Sequence, residues 1–206
     1  MSVAVPGLFI VFEGGDGAGK STQSRLLVDW LRSQGREVVE TRQPGGTKVG
    51  NMIRHILLDP ATGAMDPKTE ALLYAADKAQ HIAEVIRPAL DAGKVVVSDR
   101  FIDSMLAYQG AGRVLPDELL AEIAEVTAGG LTPDLTILLD LDPAAGIAAL
   151  TSRDRLEQEG LEFHQRVRAG YARLVAAAPS RYVVIAARQP VAEIAAQIQA
   201  AVQPLL

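Results

Sequence analysis

Leu8-Phe9-Ile10-Val11-Phe12-Glu13-Gly14-Gly15-Asp16-Gly17-Ala18-Gly19-Lys20-Ser21 is the stretch on which the fold turns. Its second half has the form G-x-x-x-x-G-K-[ST], and an apolar run precedes it. An amphipathic run with Leu26, Leu27, Trp30 and Leu31 follows. A buried strand therefore feeds a glycine loop that opens a helix, the context in which this pattern binds phosphate. The glycines let the backbone turn back and aim several N–H groups at one point. The helix N-terminus adds partial positive charge there. Lys20 can reach the β- and γ-phosphates, and the Ser21 hydroxyl can ligate Mg²⁺. A flexible glycine turn would explain neither the Lys-Ser pair nor its position.

Outward from this loop, short apolar runs alternate with helical stretches. The strand candidates are Leu8–Phe12, Glu37–Thr41, Lys94–Ser98, Leu135–Leu139 and Tyr182–Ile185. They lack in/out alternation, which predicts strands buried on both faces of a parallel sheet. The helix candidates are Lys20–Ser33, Val49–Leu57, Pro67–Asp91, Ser104–Gln109, Pro116–Ala128, Pro143–Leu150, Leu156–Ala177 and Pro190–Val202. Gly35 and Gly93 mark helix ends, and Pro67 and Pro116 mark first turns. The alternation predicts a doubly wound α/β fold with five parallel strands and helices on both faces. Ligands then sit at the carboxyl ends of the strands. No linker separates domains, so residues 1–206 read as one domain.

Composition narrows the functional classes. The formal charge of −5 argues against a general nucleic-acid surface, so any anion site is a local basic pocket. There are no cysteines, hence no disulfides, thiolate zinc sites or cysteine nucleophiles, which suits a reducing cytoplasm. The first residues lack a basic and then apolar leader, and no apolar run approaches the ~18 residues that span a bilayer. A cytoplasmic protein without a membrane partner is expected.

Three further segments carry chemistry. Val95-Val96-Val97-Ser98-Asp99-Arg100 is an apolar strand ending in a carboxylate, which suits a ligand to Mg²⁺ or its water shell. Asp140, after Thr136–Leu139, competes for that role. Arg100 favours Asp99, because an arginine beside a metal-ligating carboxylate suits capture of a phosphate. Thr41-Arg42-Gln43-Pro44-Gly45-Gly46-Thr47 predicts a tight turn with room for a ligand, although taken alone it reads better as a plain turn. In Asp99–Gly110, Ser104 and Tyr108 are four apart and share a helix face, with Gln109 beside it. Arg54 reads equally as a helix-surface charge, and Tyr74 equally as a core aromatic.

Together these segments resemble the thymidylate kinases. The chain shows F-E-G-G-D-G-A-G-K-S-T, T-R-x-P-G-G-T, D-R-x-x-x-S-x-x-A-Y-Q-G, P-D-L-T-I-L-L-D-L-D-P and D-R-L-E, in family order from about Leu8 to Tyr171. The resemblance implies transfer of the ATP γ-phosphoryl to dTMP, giving dTDP and ADP on the route to dTTP. It implies ATP on Gly14, Gly15, Asp16, Gly17, Ala18, Gly19, Lys20, Ser21 and Thr22, with Mg²⁺ near Ser21, Asp16 and Asp99. Arg54 and Arg100 would hold the dTMP phosphate. Tyr74 would stack on the thymine, Lys78 and Gln109 would contact the base, Met105 would meet its methyl, and Tyr108 would lie under the sugar. The family also implies a homodimer, for which Leu72, Leu73, Ala76, Ala79, Ala83 and Ile86 offer a seam if they do not face the core.

The departures are informative. Phosphoryl transfer needs charge cancelled on the moving oxygens and little else but alignment. The phosphate loop contains no arginine, so the extra cation is expected from a short lid at about 149–157, where Arg153 and Arg155 stand. Arg153 is preferred, because Arg155 belongs to the D-R-L-E unit. Lys78 replaces an arginine that reads the base, Met105 a small polar residue, and Gln43 the acid of T-R-E-P-G-G-T. These changes motivate an alternative, a kinase for dUMP or another deoxynucleotide. The short lid motivates another, a nucleotide-binding regulatory paralogue. The absence of N-K-x-D argues against a GTPase. His55, His81 and His164 have no assigned chemistry.

Overall fold

The computed structural model describes residues 7–149 and 154–206. Five strands form one parallel sheet: β1 (Leu8–Gly14), β2 (Val38–Arg42), β3 (Val95–Asp99), β4 (Leu135–Asp140) and β5 (Tyr182–Ala186). Their order across the sheet is β2-β3-β1-β4-β5. In register, Phe12 lies opposite Asp99, Arg42 opposite Asp99, and Gly14 opposite Leu139. The carboxyl ends of β1, β2 and β3 therefore finish together beside the glycine loop.

Side chains alternate across the sheet into two cores. Phe9, Val11, Val96 and Leu138 pack on one face, with Tyr74, Met105, Phe163 and Tyr171. Leu8, Ile10, Phe12, Val97 and Ile137 pack on the other, with Leu27, Leu31, Ile194 and Ile198. The expectation of strands buried on both faces holds for β1, β3 and β4. It fails for β2 and β5, which are half exposed. They are the sheet edges, and only one side of an edge strand is covered by neighbours.

The helices follow the predicted order: α1 (Lys20–Ser33), α2 (Lys48–Leu58), α3 (Pro67–His81), α4 (Arg87–Asp91), α5 (Ile102–Met105), α6 (Asp117–Ala128), α7 (Pro143–Ala149), α8 (Leu161–Ala177) and α9 (Val191–Val202). Periodicity alone missed two features. A π-helical turn at Ile82–Ile86 joins α3 to α4, and a second at Leu106–Gly112 continues α5. Such widened turns often mark functional sites. The helix expected from Leu156 begins only at Leu161. The Asp154 carboxylate accepts from the amides of Leu156 and Glu157 (2.9 Å each), while the Glu157 carboxylate accepts from the Asp154 amide (2.8 Å). This reciprocal cap closes the D-R-L-E unit into a turn of its own. Among the described residues no helix is long and apolar enough to cross a membrane.

Candidate active site

The phosphate loop is shaped by contacts that exclude side chains. Gly14 has φ 135° and Gly17 φ 75°, and a Cβ on either would meet a carbonyl oxygen, of Leu139 at 2.4 Å or Gly146 at 2.7 Å. Gly19 caps α1 with φ 87° and offers no side-chain oxygen to the first amides of the helix. Thr22 and Gln23 donate to the Gly19 carbonyl (3.1 Å each), and the Lys20 and Ser21 amides ahead of them have no hydrogen-bond partner among the described residues and suit an anion. Lys20 is buried, and its Nζ donates to the carbonyls of Gly14 (3.1 Å) and Gly15 (2.8 Å). Burial first, and then the Arg100 charge, lower its pKa. A phosphate oxygen at this point would relieve that repulsion.

Asp16 to Thr22 line one cavity of about 470 Å³. Arg54, Tyr74, Lys78, Arg100, Met105, Tyr108 and Gln109 line the same cavity, as do Arg42, Gln43 and Asp99. Residues from the β1 loop, α2, α3, the end of β3 and α5 with its π turn thus meet around one space.

Arg100 stands between the two halves of that space. Its Nη2 donates to Asp16 Oδ1 (2.6 Å) and the Tyr108 hydroxyl (3.2 Å). Its Nη1 donates to the Gly14 carbonyl (3.0 Å) and the Ser104 hydroxyl (3.2 Å). The Tyr108 hydroxyl donates in turn to Asp16 Oδ2 (2.8 Å). Burial works to raise the Asp16 pKa, but Arg100, Lys20 and the Tyr108 hydroxyl outweigh it and hold it low. Arg100 also has φ 73°, a left-handed backbone that costs a non-glycine residue about 1 kcal/mol or more. Its amide donates to the Phe12 carbonyl (2.9 Å), and its carbonyl accepts from the Ser98 hydroxyl (2.8 Å). These bonds keep the strained residue in place.

Two buried carboxylates that the sequence reading passed over support this arrangement. Glu13 is fully buried and accepts from the amides of Phe101 (2.8 Å) and Ser104 (3.2 Å), from the Ser104 hydroxyl (2.5 Å) and from Tyr171 (2.8 Å). It anchors the first amides of α5 and fixes the Ser104 hydroxyl that touches Arg100. Burial, followed by the Asp103 charge, raises its pKa. The signal was a carboxylate ending an otherwise apolar strand. Glu70, also fully buried, accepts from Gln109 Nε2 (3.0 Å), Arg113 Nε (3.0 Å) and Arg155 Nη2 (2.6 Å). Nothing local in the sequence announces it, because its partners lie 39, 43 and 85 residues away.

The two expected lid arginines part company. Arg153 lies outside the described residues. Arg155 is committed to Glu70 and to the Leu57 carbonyl (2.7 Å), and it is absent from the cavity lining. This geometry turns its guanidinium away from a catalytic position and makes it the latch of the D-R-L-E turn onto α2 and α3.

Arg54 donates to the Pro44 carbonyl (2.8 Å). Burial first, and then the neighbouring Arg42 charge, lower its pKa, so two cations crowd one wall of the cavity. The wall suits an anion despite the acidic balance of the chain. Tyr74 is buried, with the Lys78 ammonium 5.9 Å from its ring centre. Met105 is fully buried at the cavity floor.

Asp99 and Asp140 have different partners. Asp99 Oδ2 accepts from the Ser21 hydroxyl (3.0 Å), while Oδ1 is buried without a hydrogen-bond partner among the described residues. Asp140 is engaged by Arg168 (2.7 Å to each oxygen). An orphaned carboxylate oxygen beside the loop hydroxyl fits a hard cation such as Mg²⁺, which takes one or two protein oxygens and completes its shell with phosphate and water.

The family model for thymidylate kinase matches residues 12–198. The chain is 57% identical over 198 residues to the thymidylate kinase of Leifsonia xyli, covering 94% of this chain and 93% of that one. It is 50% identical over 200 residues to the thymidylate kinase of Cutibacterium acnes, covering 97% and 98% respectively. The crystal structure of thymidylate kinase from Ehrlichia chaffeensis superposes with a TM-score of 0.81 at 32% identity, over 96% of this chain and 99% of that one.

Proposed function

The chain belongs to the thymidylate kinase family, ATP-dependent kinases that phosphorylate dTMP, and we propose that the two halves of its cavity hold the two substrates on either side of Arg100. ATP enters over the amides of Gly15 to Ser21, with Lys20 on its terminal phosphates. The dTMP phosphate lies against Arg54 and Arg100, and its base against Tyr74, Lys78, Met105 and Gln109.

The observation that carries this reading is the Arg100 guanidinium, which touches the loop carbonyl of Gly14, the loop carboxylate Asp16 and the acceptor-side hydroxyls of Ser104 and Tyr108. One fixed cation thereby aligns donor and acceptor phosphates. Alignment and charge are what phosphoryl transfer requires of a protein. Mg²⁺, held through Ser21 and Asp99 with Asp16 nearby, would supply charge neutralisation at the phosphates. Tyr108, fixed by Asp16 and Arg100, crowds the sugar face where a ribose 2′-hydroxyl would sit. Arg153 is proposed as the lid cation over the transferring group.

The reading extends to assembly and place. Val49, Met52 and Ile56 of α2 and Leu72 of α3 are exposed, at 46, 65, 44 and 57%. Ala76, Ala79 and Ala83 are exposed on the line of Leu72. This apolar face across two packed helices supports a homodimer seam. Ile86, an earlier candidate for the seam, is fully buried in the core, and Leu73 packs against that core. A cytosolic protein with free access to ATP goes with the same reading.

Coupled ADP-release assays with magnesium-ATP and dTMP, dUMP, dCMP or dGMP test the acceptor assignment. The expected result is the highest kcat/KM for dTMP. A value for dTMP no better than for the others would sink the assignment of Lys78 and Met105 to the base.

A further inference from the structure

Behind the base-facing wall lies a buried polar chain that the phosphoryl-transfer chemistry does not use. Lys78 is 1% exposed, and its Nζ donates to Gln43 Oε1 (2.9 Å). Gln43 Nε2 lies 2.8 Å from His81 Nδ1, and His81 Nε2 lies 2.6 Å from Thr41 Oγ1. Gln43 is 2% exposed and His81 is fully buried.

The direction of every bond follows from one end. An ammonium has no acceptor, so Lys78 must donate and Gln43 must present its oxygen. The Gln43 amide group then points at His81 and must donate, so Nδ1 carries no proton. The remaining imidazole proton sits on Nε2 and goes to Thr41. Burial, and then the Lys78 charge, lower the His81 pKa to about 4, so the ring stays neutral at pH 7. Packing leaves the chain no slack: a Cβ on Gly46 would lie 2.8 Å from His81 Nε2 and 2.9 Å from Thr41 Oγ1.

We propose that Thr41, His81 and Gln43 are positioning residues that hold Lys78 as a donor-only contact to the pyrimidine 4-position, and thereby select a 4-carbonyl over a 4-amino base. Among the described residues, Gln43 is the hydrogen-bond partner of Lys78, so the ammonium keeps two N–H groups for the cavity beside the Tyr74 ring. A thymine carbonyl accepts there. A cytosine amino group meets donor against donor, and a site built this way rejects the wrong partner strongly. If His81 did not accept, the Gln43 amide could rotate, present its own N–H groups to Lys78 and push the ammonium aside. The inference rests on the proposed placement of the base against Lys78.

The test measures kcat/KM for dTMP and dCMP at saturating magnesium-ATP for wild type, Lys78→Met, His81→Leu, His81→Asn and Gln43→Met. Lys78→Met is expected to collapse the dTMP preference. His81→Leu and Gln43→Met are expected to lower it about tenfold, through the KM for dTMP more than through kcat. His81→Asn, whose Oδ1 takes the place of Nδ1, is expected to retain the preference within about threefold. A preference that survives Lys78→Met removes the base placement itself. A preference lost in Lys78→Met but intact in His81→Leu and Gln43→Met overturns the positioning chain alone. Should a variant fail to fold, ¹⁵N NMR of the wild-type His81 ring decides the chain. An Nε2–H tautomer at pH 7 supports it, and an Nδ1–H tautomer or an imidazolium overturns it.

Discussion

The proposed donor loop and the proposed acceptor wall share one cavity but are built by opposite means. The donor loop is one contiguous stretch, Gly14 to Thr22, and its working parts are mostly backbone amides shaped by Gly14 and Gly17, where a Cβ would strike a carbonyl oxygen. The acceptor wall takes one or two side chains from each of several elements, and none of them would stand correctly alone. Arg100 needs Asp16, Ser104 and Tyr108, Ser104 needs Glu13, and Gln109 needs Glu70. A backbone-built site depends on a local pattern. A side-chain-built site depends on tertiary supports that can sit dozens of residues away.

The lid arginines give the sharpest way to break this comparison. Arg153→Ala is expected to lower kcat by about 10³-fold, the scale of removing a cation from a transferring phosphoryl group. Arg155→Ala is expected to change kcat by less than about tenfold and to lower Tm instead, because its charge is spent on Glu70. Single-turnover kinetics with thermal melts on both variants separate the two. The reverse pattern would mean that the D-R-L-E turn opens and Arg155 swings into the cavity during turnover.

Arg100→Lys probes the junction of the two halves. A lysine keeps the charge but has no planar fork with which to hold Asp16, Gly14, Ser104 and Tyr108 together. A fall in kcat/KM for dTMP of about 10²-fold is expected, with a smaller rise in the KM for ATP. A loss confined to the KM for ATP, with kcat/KM for dTMP little changed, would make Arg100 part of the donor loop rather than the junction between the halves.

These contrasts also explain what the sequence could show. The sheet, its parallel sense and the glycine loop follow from periodicity and local pattern, so β1 and α1 were placed almost to the residue. The arginine after Asp99 favours it over Asp140 as the proposed metal ligand, and the Ser21 contact and the Arg168 pair give the two carboxylates distinct partners. Glu13 left a faint trace as a charge closing an apolar strand. Glu70 left none, since a glutamate on a helix is ordinarily solvated and only folding brings Arg113 and Arg155 to it. His81 looked inert for the same reason, because its partners lie 38 and 40 residues away. The π turn through Tyr108 and Gln109 is invisible to a 3.6-residue period.

Glu70→Gln should weaken the supports without touching the donor loop. It leaves Arg113 and Arg155 without their buried counter-charge, a loss of about 3–5 kcal/mol. For a domain of this size that lowers Tm by roughly ten degrees. Burial works to raise the Glu70 pKa, but the bonds from Arg113, Gln109 and Arg155 win and hold it low. Its ionised form therefore stabilises the fold above the ordinary glutamate pKa, and that contribution is lost as pH falls through the lower folded value. The Tm gap between variant and wild type should narrow below about pH 4, and a constant gap would show that the carboxylate is not acting through its charge.

The smallest expected effect concerns Lys78, and it distinguishes a base-reading cation from a buried structural one. Burial lowers its pKa to about 8, against a smaller upward pull from Asp77, Glu13 and Asp103 and a downward push from Arg100. Below that value both folded and unfolded chains carry the proton, and the fold bears the full cost of a buried ammonium. As pH rises from about 8 toward the ordinary lysine value of 10.5, the unfolded chain holds a proton that the folded one has shed, so this cost declines. The Tm advantage of Lys78→Met over wild type should therefore shrink across that window. If the ammonium also reads the base, kcat/KM for dTMP should fall a few-fold through about pH 8 in wild type, and Lys78→Arg should abolish that alkaline limb. A shrinking Tm gap with a flat kcat/KM profile would leave Lys78 a structural cation and shift base recognition onto Gln109, whose amide Glu70 already orients.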